Sequence, residues 1–234
     1  MRRALRALLA AGLLLAAASA ASAHIPDAET VARAAADASR AQGRNRAFSF
    51  AVAVRAGASS APNARGELLV DPGGAARIEL RHDDGFVERQ IRRASGLVAA
   101  RDGEALEDPH PLAPPLWPLL AATGGELLAR AGELGVAPGA IALGYDGARD
   151  CFVIGGVAGR ASIWIDTESY QVARVDLADG THVRFLAFAS RGGALLPGTI
   201  EIETASLTFT LELTNAAPAT PAADAFSDAW LLSR

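Results

Sequence analysis

The most constraining feature of the sequence is the run from residue 207 to residue 214, in which apolar and polar residues alternate without interruption. The apolar positions are Leu207, Phe209, Leu211 and Leu213. Because successive side chains of a strand point to opposite faces, this alternation predicts an antiparallel strand with one buried face. Four shorter runs precede it, separated by turn residues, at 162–166, 171–177, 181–188 and 199–203. Residues 162–214 are therefore predicted to form a β-meander.

The first two thirds of the chain show the same pattern. A helix is predicted for residues 28–42, with Asp27 as its N-cap and Gly43 as its stop signal. Short strands joined by tight turns are typical of an antiparallel sandwich or barrel and not of alternating βαβ units. The predicted strands cover residues 47–55, 65–71, 76–82, 86–93, 96–100, 140–146 and 151–157. Together these patterns predict a mainly β fold, built on a curved antiparallel sheet.

A proline-rich entry and an apolar segment interrupt the strands in the middle of the chain. Residues 116–120 and 127–134 have helical spacing, and Gly124-Gly125 lies between them. We predict two short helices that break at these glycines and pack across one opening of the sheet. Such a segment suits either a movable cover or an ordinary connection.

The first 23 residues are typical of a secretory signal peptide. Three arginines precede a short apolar run that ends in Ala21-Ser22-Ala23. The run is short for a membrane span, so a retained anchor is the weaker alternative. Residues 24–234 are expected to form a single domain. Removing the three arginines changes the formal net charge from −4 to −4 − 3 = −7, and we expect no binding to nucleic acid by such an acidic chain.

No catalytic signature stands out in the sequence. G-x-S-x-G and H-E-x-x-H motifs are absent, and all 22 basic residues are arginine. Cys151 is the only cysteine, so no intrachain disulfide can form, and its apolar neighbours predict a buried thiol. We therefore predict no enzymatic activity, no metal and no cofactor.

Histidines and paired carboxylates are the remaining candidates for metal ligands or acid–base groups. His24, if exposed as an amino terminus by cleavage, would be able to chelate copper, but it needs a second histidine. The other histidines, which show no ligand spacing, are His82, His110 and His182. His82 and His182 border turns and are expected to be exposed. The carboxylate pairs Asp83-Asp84 and Glu201/Glu203 are interpreted as a turn and a solvated strand face.

Inward-facing apolar residues are the candidates for ligand binding. They are Phe50, Val52, Val54, Leu68, Ile78, Leu80, Leu116, Trp117, Leu120, Phe185, Phe209 and Leu211. The alternation also places Phe48, Ile141 and Leu143 on this face. Such an interior is either a packed core or a binding cavity, and the pattern alone does not separate the two. A cavity with this lining would favour acyl chains, because each buried CH₂ group gains about 0.8 kcal/mol.

Several segments, in the same order along the chain, resemble the LolA family of periplasmic lipoprotein carriers. They are residues 66–70 before a proline-containing turn, 96–98, 162–168, 172–177, 196–197 and 211–215, followed by Pro218 and Phe226. The resemblance covers most of the chain after residue 23. It implies an incomplete antiparallel β-barrel, with helices as a lid over a hydrophobic cavity for acyl chains. Residues 116–120 would belong to that lid.

One position departs from the family pattern. LolA carriers have an arginine beside the proline that follows their G-x-L-W strand, and that arginine is tied to lid closure. Here the strand ends in Leu-Val, with Asp71-Pro72 after it and no basic residue beside the proline. Arg77 and Arg55 are the candidates to replace the family arginine.

The resemblance also implies a function. The chain is expected to be a monomeric periplasmic carrier that binds acyl chains of lipoproteins or lipids for transport toward the outer membrane. An inner-membrane export complex and an outer-membrane acceptor would be its partners. The alternative is a regulatory or protein-interaction module of the same fold, whose interior is a filled core and carries no lipid.

Overall fold

The structure is a computed structural model that describes residues 25–39, 46–71, 73–93, 96–156, 160–191 and 193–233. Its helices are α1 (Ala28–Ser39), α2 (Gly124–Glu133) and α3 (Asp228–Leu231), and a 3₁₀ turn spans Trp117–Leu119. Its strands are β1 (Ala47–Ala56), β2 (Ala64–Val70), β3 (Ala76–His82), β4 (Val87–Arg93), β5 (Gly96–Arg101), β6 (Glu104–Ala105), β7 (Ile141–Asp146), β8 (Arg149–Ile154), β9 (Ser162–Asp166), β10 (Val172–Asp176), β11 (His182–Leu186), β12 (Ala189–Arg191), β13 (Ala194–Leu196), β14 (Thr199–Glu203) and β15 (Thr208–Ala219). The predicted signal peptide and His24 lie outside the described residues.

Thirteen of the described strands form one antiparallel sheet. Their order is β6-β5-β4-β3-β2-β1-β15-β14-β11-β10-β9-β8-β7. The first and last of the described strands, β1 and β15, therefore pair at its centre, where Val54 lies opposite Leu211. The outermost strands β6 and β7 do not pair with each other, so the sheet stays open. This confirms the predicted mainly β, antiparallel architecture.

The sheet is strongly twisted and coiled. Neighbouring strands lie about 4.8 Å apart, so β7 and β11, four strands apart, would be roughly 19 Å apart in a flat sheet. Instead, Nε of Arg184 on β11 donates to Oδ1 of Asp146 on β7 over 2.9 Å. A long arginine side chain spans only part of the difference, and the coiling of the sheet supplies the rest.

The meander was predicted with good accuracy, with two corrections. Strands β9 and β14 coincide with the predicted runs. Leu207, however, precedes β15 and is 40% exposed, so it does not share the buried face of Phe209. The hairpin of β12 and β13 was not predicted, because strands of three residues are too short to show a period.

Helices α1 and α2 pack together against one face of the sheet. As predicted, Asp27 caps α1, and its Oδ1 accepts a 2.7 Å bond from the Thr30 amide. Two short helical segments are present as predicted, but the break between them lies before Gly124-Gly125, since α2 begins at Gly124 with Thr123 as its N-cap. Glycine is needed there for close packing, because a Cβ at residue 124 would lie 2.5 Å from the Arg33 amide nitrogen of α1.

The C-terminal segment covers part of the opposite face of the sheet. Leu231 of α3 packs on Ile91 of β4 and Ala100 of β5, forming a small second core. The Arg77 guanidinium lies over the Trp230 ring, 4.4 Å from its centroid. This helix is short and was not predicted.

Candidate functional site

The predicted ligand-binding residues all lie in or against one continuous apolar core between the sheet and the helices. Eleven of the twelve are buried, from Phe50 on β1 to Leu211 on β15. Leu120, which follows the 3₁₀ turn, is partly buried and packs against the others. Phe48 and Ile141 also belong to or touch this core. Residues distant in sequence are thus brought together as the alternation predicted.

Leu143 is the exception, and its predicted inward position is corrected. It is 56% exposed, and Tyr145 beside it is 77% exposed. Both lie on β7, the edge strand, beyond the area that the helices cover. Alternation reports which face a residue takes but not whether another element covers that face.

Three segments form what we call the cover: α1, the 3₁₀ turn and α2. Their buried residues include Val31, Trp117 and Leu127, which join the core formed by the sheet. Residues 116–120, assigned to the lid by resemblance, thus lie in the cover and contact the core. The cover presents mainly apolar side chains to the sheet, so burial of apolar surface is the main interaction that holds it.

A polar row on β4 fixes the chain that leads into the cover. Gln90 is fully buried, and its Oε1 accepts bonds from the amides of Leu112 and Ala113 over 2.9 and 3.0 Å. Its Nε2 donates to Glu88 Oε1 over 2.6 Å and to the His110 carbonyl over 2.7 Å. We call these contacts the clamp. The sequence pattern does not indicate the clamp, because the apolar residue Ile91 makes the opposite face of β4 look like the buried one.

Arg92 completes this row at the end of β4. It is 8% exposed, and its Nε donates to the Ala113 carbonyl over 2.6 Å. Burial lowers the pKa of the Arg92 guanidinium from its ordinary value, and the charge of Asp179 acts in the opposite sense. Arginine nevertheless stays charged in proteins. The row therefore ends in a buried cation.

A cleft of about 240 Å³ opens beside Arg92 at the rim of the cover. Its walls are Gly73, Gly74, Ala75, Arg92, Arg93, Trp117, Arg130, Glu133 and Leu134. We call it the rim cleft. Trp117 is the one residue of the predicted ligand-binding set that lines it. Two more open grooves, of about 470 and 500 Å³, run along α1 and α2 and include Glu29 and Leu128.

The arginines proposed to replace the family arginine do not face the cover. Arg55 points away from the core and pairs with Glu212 over 2.6 Å. Arg77 also lies on the outer face, where Nη1 donates to the Ala225 carbonyl over 3.2 Å. Both expectations were wrong because these odd-numbered positions alternate with inward residues. Instead, Arg130 of α2 reaches the β2–β3 turn, where a Cβ on Gly74 would lie 2.7 Å from its Nη1.

A charged network covers the outer face of β9 to β11. Asp176 accepts bonds from Arg174 Nε at 2.5 Å and Trp164 Nε1 at 2.7 Å, and its Oδ1 lies 2.7 Å from His182 Nδ1. Burial alone would raise the pKa of Asp176, but the bonds from Arg174, His182 and Trp164 outweigh it and hold the pKa below its ordinary value. The network joins neighbouring strands and opens onto no cleft described above.

The remaining candidates for chemistry are structural in their surroundings. His82, expected to be exposed, is instead stacked on Phe86 with ring centroids 3.9 Å apart, and its Nε2 is 3.3 Å from Glu88 Oε2. Cys151 is fully buried, as predicted. Among the described residues, no group of three or more histidine, cysteine, aspartate or glutamate side chains is placed to hold a metal. No helix in this part of the chain combines the length and apolarity needed to span a membrane.

The carboxylate pairs lie where the sequence placed them. Asp83 is in the turn after β3, with Oδ1 3.5 Å from Nη1 of Arg65. Glu203 of β14 is 3.4 Å from Arg184 on the neighbouring strand β11. Both are exposed or half-exposed ion pairs, which contribute little to stability.

Comparison with solved structures identifies the fold. The chain matches a LolA superfamily protein from Nitrosomonas europaea with a TM-score of 0.53 and 12% sequence identity, over 88% of this chain and 100% of that chain. A domain from Vibrio parahaemolyticus, assigned to outer-membrane lipoprotein sorting, matches with the same TM-score, identity and coverage. The chain therefore has a LolA-like fold, an open antiparallel barrel with a helical cover.

Comparisons at the level of sequence add no relative. No protein-family model matches the chain, and curated protein sequences give no match.

Proposed function

We propose that this protein is a periplasmic carrier that binds acyl chains of lipoproteins or lipids between the sheet and the cover. One observation carries the proposal: a continuous apolar core lies between a sheet face and helices that touch it mainly through apolar side chains. The Vibrio parahaemolyticus domain of the same fold is assigned to outer-membrane lipoprotein sorting, and we extend that role to this chain.

The energetics favour an acyl ligand if the cover moves. Each CH₂ group transferred from water gains about 0.8 kcal/mol, so ten groups gain roughly 8 kcal/mol before other terms. Binding must separate cover from sheet, because residues such as Leu116 and Phe185 are already packed in this structure. The acyl chains then replace the apolar contacts between the cover and the sheet that are lost when the cover moves. The clamp on residues 110–113 would hold one end of the cover while the rest moves.

Several parts of the proposal rest on sequence alone. Residues 1–23 would be a cleaved signal peptide, and residues 24–234 would act as one domain. The carrier would work as a monomer, without covalent chemistry or cofactor. It would receive cargo from an inner-membrane export complex and pass it to an outer-membrane acceptor.

Native mass spectrometry of protein purified from the periplasm tests the proposal. An adduct with the mass of an acyl lipid, identified after extraction, supports a carrier. A matched pair of variants then locates the site: Leu120→Ser removes a predicted ligand contact, and Leu128→Ser removes a partly buried leucine of α2 outside the predicted set. We expect about three- to tenfold weaker binding of a fluorescent fatty acid for Leu120→Ser and little change for Leu128→Ser. Equal loss in both variants would contradict the proposed location.

The packing of the interior favours one second candidate. The core residues are buried against one another, which is also what a filled core requires. In that case the protein is a regulatory or interaction module and carries no lipid. Protein that stays free of adducts after exposure to lipids and to a lipoprotein would support this alternative and overturn the carrier.

A further inference from the structure

Arg92 is a buried cation that lacks an acidic partner. The other two arginines of β4 each have a carboxylate partner: Arg89 is 2.7 Å from Glu79, and Arg93 is 2.8 Å from Asp228. Among the described residues, no carboxylate forms an ion pair with Arg92. Asp179 acts on it only at longer range, and its Oδ1 accepts a bond from the Thr181 amide. Arg92 is only 8% exposed and lines the rim cleft, so the cleft is where its unpaired end can meet solvent or a ligand.

The hydrogen bonds of Arg92 use only part of its guanidinium. Nε donates to the Ala113 carbonyl and fixes the plane of the group. The one hydrogen bond of the Arg92 side chain within the described residues uses Nε, which leaves Nη1 and Nη2 without a partner there, and the side chain lines the rim cleft. Two parallel N–H donors in a rigid plane match two oxygens of one oxyanion. The free end of Arg92 is therefore available to an anion that enters the cleft.

The rest of the cleft suits such an anion. Arg130 lies on the opposite element, α2, where Nη2 pairs with Glu126 over 2.7 Å and Nη1 packs against Gly74. Its ion-pair partner Glu126 is a single carboxylate whose side chain is 28% exposed. Among the described lining residues, Arg92 and Arg130 bring positive charge and Glu133 brings negative charge, whereas the guanidinium of Arg93 pairs with Asp228 on the other face of the sheet. The volume of about 240 Å³ is several times the ~30 Å³ share of one water, so a tetrahedral oxyanion fits.

We propose that the rim cleft binds a phosphate group, held end-on by Nη1 and Nη2 of Arg92 and attracted by Arg130. Trp117 and Leu134 form the apolar side of the cleft, and Trp117 also belongs to the core. An organic substituent on the phosphate would lie against this side and point toward the cover. The phosphate comes either from an anionic lipid headgroup or from a free phosphate compound. This site goes beyond acyl binding and does not depend on it.

Calorimetric titration with three probes separates the sources. The probes are inorganic phosphate, dihexanoyl phosphatidylglycerol below its micelle concentration, and neutral dihexanoylglycerol. We expect wild-type protein to bind the anionic lipid at least about tenfold tighter than the neutral one, as a charge-assisted bidentate contact provides. Tighter binding of anionic lipid than of inorganic phosphate identifies a headgroup site, and equal binding identifies a site for free phosphate. Either result supports the cleft.

Variants assign the effect to the cleft. Arg92→Gln keeps an N–H donor near Ala113 but loses the charge, and we expect about 10- to 100-fold weaker phosphate binding. Arg92→Lys keeps the charge and should retain part of the phosphate binding that Arg92→Gln loses. Arg81→Gln, an exposed arginine on β3, removes the same charge elsewhere and should change nothing. Should Arg92→Gln fail to fold, Arg130→Glu reverses a cleft charge from α2 and must also weaken binding.

Two outcomes would overturn the site. One is that neither inorganic phosphate nor the anionic lipid binds better than the neutral lipid. The other is that binding is unchanged in Arg92→Gln and Arg130→Glu. If wild-type protein binds phosphate or the anionic lipid but not the neutral lipid, the result counts against acyl binding and supports the phosphate site. The two proposals are therefore tested separately.

Discussion

Replacing Gln90 by leucine tests how the clamp holds the cover to the sheet. The substitution keeps a side chain of similar size in a fully buried position but removes four hydrogen bonds. Leu112 keeps a partner for its amide, because that N–H also lies 2.8 Å from the His110 carbonyl. The Ala113 amide and one oxygen of Glu88 lose theirs, and both residues are buried.

The magnitude follows from these two groups. A buried N–H without a partner costs about 1–3 kcal/mol, and a lost bond to a charged group costs about 1.5–3 kcal/mol. Allowing for the gain from a buried leucine, we expect the free energy of unfolding to fall by about 3 kcal/mol. At a denaturant dependence of about 2 kcal/mol per molar urea, the unfolding midpoint would drop by about 1.5 M. Hydrogen exchange at the Ala113 amide should also be faster than in wild type when the two proteins are compared under conditions that give them equal free energies of unfolding.

Gln171→Leu is the matched control, since Gln171 is partly exposed and its side chain forms no hydrogen bond within the described residues. It should change the free energy of unfolding by less than about 0.5 kcal/mol. If Gln90→Leu shifts the urea midpoint no more than this control, or leaves the Ala113 amide protected, then the clamp does not hold residues 110–113 and the reasoning is refuted.

Three further predictions concern packing, pH and the thiol. Gly124→Ala should lower the free energy of unfolding by about 1–3 kcal/mol, because its Cβ would meet the α1 backbone at Arg33. Gly125→Ala is the control, since a Cβ has room there and should leave the free energy of unfolding unchanged. Equal urea midpoints for the two variants would contradict the close packing. The pKa of Asp176 is held below its ordinary value, so its ion pairs stabilise the fold above the unfolded-state pKa, and this stability is lost as pH falls through the lower folded-state pKa. In Asp176→Asn the urea midpoint should therefore depend less on pH between about pH 5 and 2 than in wild type. An unchanged pH dependence would refute this. Burial raises the pKa of the Cys151 thiol, with nearby carboxylates adding to the effect, so a thiol reagent should react only after denaturation; rapid labelling of native protein would show that the thiol is accessible.

Much of the sheet could be predicted because one of its faces is buried along most of its width. In β1 and β15, every second residue is apolar and faces the core, so the period of two is directly visible. The same alternation identified Phe50, Leu68 and Leu211 as neighbours in space although they are far apart in sequence. Where burial follows the alternation of apolar and polar residues, the sequence is sufficient to predict which side chains lie in the core.

The polar features of the site could not be predicted in this way. On β4 the apolar residue, Ile91, faces outward because α3, more than 130 residues later, covers it. Its neighbours Gln90 and Arg92 are polar but face inward, where the side-chain amide of Gln90 and Nε of Arg92 bond to the backbone of residues 110–113. A partner made of backbone atoms leaves no trace in side-chain patterns. The pairing of Ile78 with Gln90 across β3 and β4 is the signal that would have placed Gln90 inside, but it needs the register.

The pairing of β1 with β15 at the centre of the sheet also determines when the protein is able to fold. Val54 and Leu211 are 157 residues apart, so the two halves of the sheet cannot join until the chain has been synthesised through β15. Until then the edge of β1 is unpaired and able to pair with other chains. Long-range strand pairing is slow, in the range of milliseconds to seconds. The edge of β1 therefore stays exposed to other chains until β15 has been made and has paired with it.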